Sequence, residues 1–278
     1  MFRAILTLCI TSLLTVQAFA AQDRPNIIWL SAEDISAHLG CYGDPDAITP
    51  TLDALAANGL RYSNAFTTAP VCAPNRSAII TGLYQMSIGS HHMRAGGEGS
   101  DRSILPKLPP EIRPFPEYLR EAGYYVTNNS KKDYNFDYAG DIWNASSKYA
   151  HWSNRPAKDT PFFAVFNYTD THEGSVRSAP KAYAQKTESL TDEQRRNPDD
   201  LFIPPYHADT PVIRRQWANL HELVTGMDYW VAEHLQNLED AGLADNTIVV
   251  FWSDHGTGLP RHKRWVYDTG VKIPLIVY

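Results

Sequence analysis

Four short strand-like runs constrain this chain more than any other feature. Asn26–Leu30, Tyr124–Thr127, Phe162–Phe166 and Thr247–Trp252 are rich in aliphatic and aromatic residues. The first is continuously apolar rather than alternating, the pattern of a strand buried on both faces. Helical stretches separate them. One opens at Thr49-Pro50-Thr51, carries Leu52, Leu55 and Ala56 on one face and stops at Asn58-Gly59. A second covers Pro114–Ala122 and closes at Gly123, and a long amphipathic one runs Arg214–Ala241 to a Gly242 stop. Strands alternating with helices predict a doubly wound, mainly parallel α/β sheet flanked by helices. Arg61–Phe66 and Ile273–Tyr278 read as further strands, and the polar, Pro-rich Ser178–Thr210 as a surface excursion.

Each of the four runs ends in polar side chains. Glu33 and Asp34 follow the first, Lys131, Lys132 and Asp133 the second, Asp170 and His172 the third, Asp254 and His255 the fourth. Open α/β sheets bind ligands at the carboxyl ends of their strands, so these groups are the candidate site. Adjacent acids are unfavourable without a cation between them. Glu33, Asp34 and Asp254 offer hard oxygens suited to Ca²⁺, with Mg²⁺ or Mn²⁺ as alternatives, and His255 adds a borderline nitrogen.

With 278 residues, 43% of them hydrophobic, the chain holds enough apolar material for one large domain. Met1–Ala20 has the form of a signal peptide: Arg3, an apolar run over Ala4–Val16, then Ala18-Phe19-Ala20. The run is too short for a comfortable membrane span, so residues 21–278 are expected to be exported to the periplasm or beyond, with a tethered N-terminal anchor as the alternative. Net charge is −6. That balance excludes a broad electrostatic surface for nucleic acid, and an anionic substrate has to be caught by a local basic cluster. Loss of Cys9 with the leader leaves Cys41 and Cys72, which in an exported protein can be bridged.

Cys72-Ala73-Pro74-Asn75-Arg76 stands at the head of an apolar helical run ending in Thr81-Gly82. Pro74 suits a first helical turn. Cys72 then sits at a helix N-terminus, which favours negative charge, and Arg76 lies one turn on. The Cys-x-Pro-x-Arg pattern with its Thr-Gly ending resembles the signature of the formylglycine-dependent type I sulfatases of the alkaline phosphatase superfamily. Lys263, Tyr267, Asp268 and Pro274-Leu275-Ile276 match a downstream pattern of the same family, and the likeness extends over Pro25–Tyr278.

The resemblance implies that Cys72 is oxidised to formylglycine by a formylglycine-generating enzyme. It also implies that Arg76, Lys131 and Lys263 contact the sulfate, that His172 (or, second, His262) protonates the leaving group, and that Glu33, Asp34, Asp254 and His255 hold the metal. In the implied chemistry one hydroxyl of the hydrated aldehyde attacks sulfur, and collapse to C=O expels sulfate. Sulfated saccharides are the implied substrates, and a smaller C-terminal subdomain is expected beyond Tyr278. Three departures stand out: Glu33 replaces an Asp, Ser130 replaces a Gly, and Asp133 replaces the histidine that usually partners the formylglycine. His91-His92-Met93-Arg94 is a further polar group that can line a sugar pocket. Two alternatives remain: a phosphonate monoester or phosphodiester hydrolase of the same superfamily, favoured by His255, and a non-catalytic binding module with a Cys41–Cys72 disulfide.

Overall fold

The computed structural model describes residues 24–93 and 105–278. The expected leader, Cys9 and Arg94 lie outside the described residues. The elements in chain order are β1 (Asn26–Ala32), α1 (Pro50–Asn58), β2 (Leu60–Arg61), β3 (Ala65–Phe66), α2 (Cys72–Thr81), α3 (Phe115–Glu121), β4 (Tyr125–Asn129), β5 (Ala145–Ser146), β6 (Phe162–Tyr168), α4 (Glu173–Val176), α5 (Pro180–Lys186), α6 (Pro211–Asp240), β7 (Thr247–Ser253), α7 (Asp268–Val271), β8 (Lys272–Ile273) and β9 (Leu275–Val277). The main sheet has the order β2-β9-β7-β1-β6-β4-β5. β1 pairs in parallel with β6 and β7, and β4 with β5 and β6, while β9 and β2 close one edge antiparallel. The expected doubly wound, mainly parallel sheet is what forms.

Both faces of β1 are covered, which is why its sequence does not alternate. Ile28 and Leu30 face a layer with Trp217, Leu220, Leu223, Val224 and Met227 of α6 and Leu52 and Leu55 of α1. Ile27 and Trp29 face the other side, with Phe163, Val165, Phe115 and Leu119. Helix α6 presents Trp217, Leu220, Val224, Met227, Val231, His234 and Leu238 as one buried stripe, the 3–4 spacing of an amphipathic helix. It begins at Pro211, three residues earlier than predicted, because Thr210 caps it: its hydroxyl accepts the Ile213 amide at 3.4 Å.

Three expectations are revised. Arg61–Phe66 is not one strand: β2 pairs with β9 and β3 with β8, with Tyr62-Ser63-Asn64 as the corner between them. Ile273–Tyr278 is likewise divided, since Pro274 lacks the N–H that a continuous ladder needs. The Ser178–Thr210 excursion is less loose than its composition implies. It contains α5 and buries Thr187, Leu190 and Leu201, and Tyr183 and Arg195 anchor it by binding Glu222 of α6 at 2.7 and 2.9 Å.

Registration of the central strands sets the site. Ala32 of β1 lies beside Tyr168 of β6 and Ser253 of β7, so the residues that follow leave the sheet together at one edge. Among the described residues, five non-glycines have positive φ: Asp34, Ser36, Asp133, Arg261 and Arg264. All five lie in loops carrying candidate site residues, where such conformations tend to be retained.

Candidate active site

Helix α2 delivers Cys72 and Arg76 to the carboxyl edge. Val71 offers no side-chain cap, and Gly82 closes the helix at φ 70°, its amide donating to Ala78. Eight of the ten α2 residues are buried, Cys72 and Arg76 among them. The Cys72 Sγ stands 3.1 Å from Nε2 of His255. His255 Nδ1 is 2.9 Å from the Gly256 carbonyl, which only accepts, so that nitrogen donates and Nε2 is the ring atom that faces the site. Gly256 must lack a side chain here, because a Cβ would meet the Thr269 carbonyl at 2.0 Å.

Donor atoms of Asp34, Cys72, Asp254 and His255 all lie within 4.8 Å of one another, and all four residues are buried. His255 Nε2 is 3.3 Å from Asp34 Oδ1 and 3.6 Å from Asp254 Oδ1. Asp34 Oδ1 accepts no hydrogen bond although wholly buried. Two carboxylates, one imidazole and an unmet acceptor fit a divalent ion.

Three cations surround this group. Arg76 Nε donates to Asp254 Oδ2 at 3.1 Å, its Nη1 to Asn167 Oδ1 at 2.8 Å, and its Nη2 lies 3.8 Å from Glu33 Oε1. Burial alone would lower the Arg76 pKa, but Asp254 and Glu33 more than offset it and raise it. Lys263 Nζ donates to Asp34 Oδ2 at 2.8 Å and lies 3.5 Å from Glu173 Oε1. Its pKa is also raised: Asp34 and Cys72 outweigh the cost of burial. Lys131 pairs with Glu33 and stands 3.8 Å from Asp133 Oδ2. Burial would raise the Asp254 pKa, yet His255, Arg76 and Lys131 hold it well below the usual carboxylate range.

His172 is half-buried at the rim. Its Nδ1 faces the Gly174 amide at 3.3 Å, and its Nε2 lies 3.3 Å from Lys263 Nζ. A hydrogen bond with Cys72 raises its pKa, ahead of the opposing effect of burial.

The structure therefore brings Cys72, Arg76, Asp34, Asp254, His255, Lys263 and His172 together. Glu33 stands beside them with a different partner: Lys131 engages its Oε1, and it is outside the four-residue donor group. His262 lies elsewhere, buried among the rings of His38, His207 and Trp217. Cys41 and Cys72 are both free, so the Cys41–Cys72 bridge is absent. Instead Cys41 packs near Asp53, and burial, then that carboxylate, pushes its thiol up to about 12.

Sequence reasoning passed over three groups. Asn75 Nδ2 donates to the Asp254 carbonyl at 2.6 Å, Asn167 receives Arg76, and the Glu173 amide donates to Asp34 Oδ2 at 2.9 Å. Asn167 did carry a signal, as a polar residue at the end of an otherwise apolar strand.

The family model described as Sulfatase matches residues 25–159 and 153–278. The chain belongs to the sulfatase family. It is 41% identical to an ulvan-active sulfatase of Formosa agariphila over 92% of this chain and 47% of that protein. It is 29% identical to human N-sulphoglucosamine sulphohydrolase over 97% of this chain and 58% of that protein. The chain thus spans about half the length of these curated relatives. Among solved structures, a Bacteroides thetaiotaomicron protein from a study of glycosaminoglycan metabolism superposes with TM-score 0.69 at 18% identity, covering 92% of this chain and 67% of that one. The phosphonate monoester hydrolase of Agrobacterium radiobacter does so with TM-score 0.64 at 16% identity, covering 91% and 68%. At such identities the superpositions establish a shared fold.

Proposed function

We propose that this chain is the catalytic part of an exported sulfatase that hydrolyses sulfate esters, or N-sulfates, of sulfated carbohydrates. The observation that carries the reading is Cys72 at the head of α2, inside a donor group ringed by Arg76, Lys131 and Lys263. Arg76, Lys131 and Lys263 balance Glu33, Asp34 and Asp254, while at the margin Arg264 pairs with Glu173 and Asp133 lies beside Lys131. A divalent ion held by Asp34, Asp254, His255 and the residue at 72 would therefore leave a net positive site for an anionic ester. Ca²⁺ is the favoured ion because two of the donors are carboxylates. The substrate class is supported by two of the relatives, the ulvan-active sulfatase and the N-sulphoglucosamine sulphohydrolase.

Bound metal and a formylglycine made from Cys72 would together supply an activated oxygen nucleophile and polarise the sulfuryl group. The remaining work falls to side chains. Arg76 is held in place by Asp254 and Asn167, and its guanidinium would balance charge on the sulfuryl oxygens. Lys263 and Lys131 complete the charge balance. His172, at the rim with Nε2 3.3 Å from Lys263 Nζ, is the side chain placed to protonate the departing oxygen or nitrogen.

Peptide mass spectrometry of Val71–Arg76, from a host with formylglycine-generating enzyme, tests the reading. Conversion of Cys72 lowers the peptide mass by about 18 Da, whereas an unmodified or bridged thiol ends this mechanism. His255, 3.3 Å from Asp34 within the donor group, also favours a second reading, the phosphonate monoester or phosphodiester hydrolase. Faster turnover of an aryl phosphodiester than of an aryl sulfate by the same preparation would select it.

A further inference from the structure

A second group of metal-competent donors lies in the loop that follows Asp34. His38 ahead of the Gly40–Tyr42 turn and Asp44 after Gly43 (φ 89°) both come against α6, His38 on Trp217 and Asp44 on His221. His38 Nδ1 is 2.7 Å from Asp44 Oδ2, and His221 Nε2 of α6 is 3.2 and 3.3 Å from the two Asp44 oxygens. His38, Asp44 and His221 each offer a donor atom within 4.8 Å of the others.

The proton positions make this more than a polar contact. His221 Nδ1 lies 2.9 Å from the Trp217 carbonyl, which can only accept, so Nδ1 carries a hydrogen. In neutral His221 the lone pair on Nε2 would then face a carboxylate, a repulsive arrangement. Something positive has to sit between them, either a second proton or a metal ion. A histidine whose Nδ1–H is held by a backbone carbonyl while Nε2 points at a carboxylate is arranged as metal-bound histidines are. The site also has an entry path, since the His38 and Asp44 side chains keep 21% and 13% of their exposure.

No lysine or arginine is paired with Asp44 among the described residues, unlike Asp34 and Asp254. The adjoining wall is aromatic and neutral. His262 stacks on His38 with centroids 6.1 Å apart, Trp217 lies edge-on to His38 at 5.0 Å, and the buried Nδ1 of His262 has no hydrogen-bond partner.

We propose that His38, Asp44 and His221 form a second metal site, separate from the Asp34 group, that takes a transition ion of the Zn²⁺ class and pins the β1–α1 loop to α6. Two imidazoles and one carboxylate, with water completing the shell, are donors suited to such ions rather than to Ca²⁺. Tetrahedral bonds of about 2.0–2.1 Å place ligand atoms about 3.3 Å apart. The His221–Asp44 separation, 3.2 to 3.3 Å, already matches this spacing, and the His38 and His221 donors lie within 4.8 Å of each other. The 2.7 Å His38–Asp44 contact has to open by about half an ångström, which the partly exposed His38 side chain permits.

The test uses the full chain, stripped with chelator, saturated with Ca²⁺ and then equilibrated with Zn²⁺. Metal analysis after gel filtration should show one zinc per chain fewer in Asp44→Asn and in His38→Ala than in wild type. Crystals of the wild-type protein should give an anomalous peak at the zinc edge between His38, Asp44 and His221. An equal zinc count in all three proteins overturns the proposal, as does a peak confined to the Asp34 group or no peak. The wild-type map decides even if a variant fails to fold.

Discussion

Strands β1 and β7 contain two kinds of interior within a few residues of each other. Ile28 and Leu30 of β1 and Phe251 of β7 are fully buried in the apolar layer under α6. Asp34, Asp254 and His255, just past the same strands, are also fully buried, but among charges. Equal exclusion of water is reached by opposite means. The layer gains from contact area and shape, so its cost of change should scale with volume. At the edge each charge is tolerated because a specific partner cancels it, so its cost of change should depend on which partner is left behind.

The sharpest break between the two regions is expected at α2. Cys72→Ala should abolish sulfate ester turnover while leaving the melting temperature close to wild type, since only one sulfur atom is lost. Arg76→Ala should also abolish turnover, and it strands Asp254, so stability should fall by about 3–5 kcal/mol in denaturant titration. Arg76→Lys should not restore activity, because an ammonium lacks the planar fork whose separate Nε and Nη1 groups bind Asp254 and Asn167. Wild-type turnover in any of the three would remove α2 from the chemistry.

A second test stays within the edge. Asp34→Asn should abolish Ca²⁺ binding measured by calorimetry. Glu33→Gln should leave that affinity unchanged, because Glu33 is engaged by Lys131 and stands apart from the donor group. Equal loss in both would put Glu33 among the ligands, as the family pattern implies. Leu220→Ala then examines the other interior. It should cost about 2–5 kcal/mol of stability with kcat and KM unchanged below the melting range, since Leu220 is fully buried under the sheet and touches no site residue.

Much of this contrast was legible in the linear chain. The strand-forming runs and their polar endings predicted a parallel sheet with charges at its carboxyl edge, because both features repeat in register with the fold. What could not be read was pairing. Nothing local to Glu33 says that Lys131, nearly a hundred residues on, takes its carboxylate, or that Asn167 anchors Arg76. Short edge elements were misjudged for a related reason: β5 was missed and the bounds of β2 and β8 were misplaced, since each is two residues long and exists only because a neighbouring strand supplies its partner. The histidines misled most. His262 stands beside Lys263 in sequence, yet its ring turns away into the cluster around Trp217, a direction set by packing against α6.

The smallest expected effect lies where the two kinds of interior mix. His234 occupies a position on the α6 stripe where an apolar residue is expected, packed on Phe166 and Trp230 with ring centroids 4.2 and 4.6 Å away. Burial, and then the nearby His151, pushes its pKa down to about 4. The unfolded chain keeps the ordinary value near 6.5, so between about pH 4 and 6.5 the unfolded state binds a proton that the folded state refuses. Stability therefore falls as pH drops through this window, by about 2 kcal/mol from pH 6.5 to 5 for this residue alone. Urea titrations of wild type and His234→Leu at the two pH values measure it: the difference between them should shrink by that amount in the variant. An unchanged difference would mean that His234 meets a partner on protonation and that the apolar layer accepts charge as the edge does.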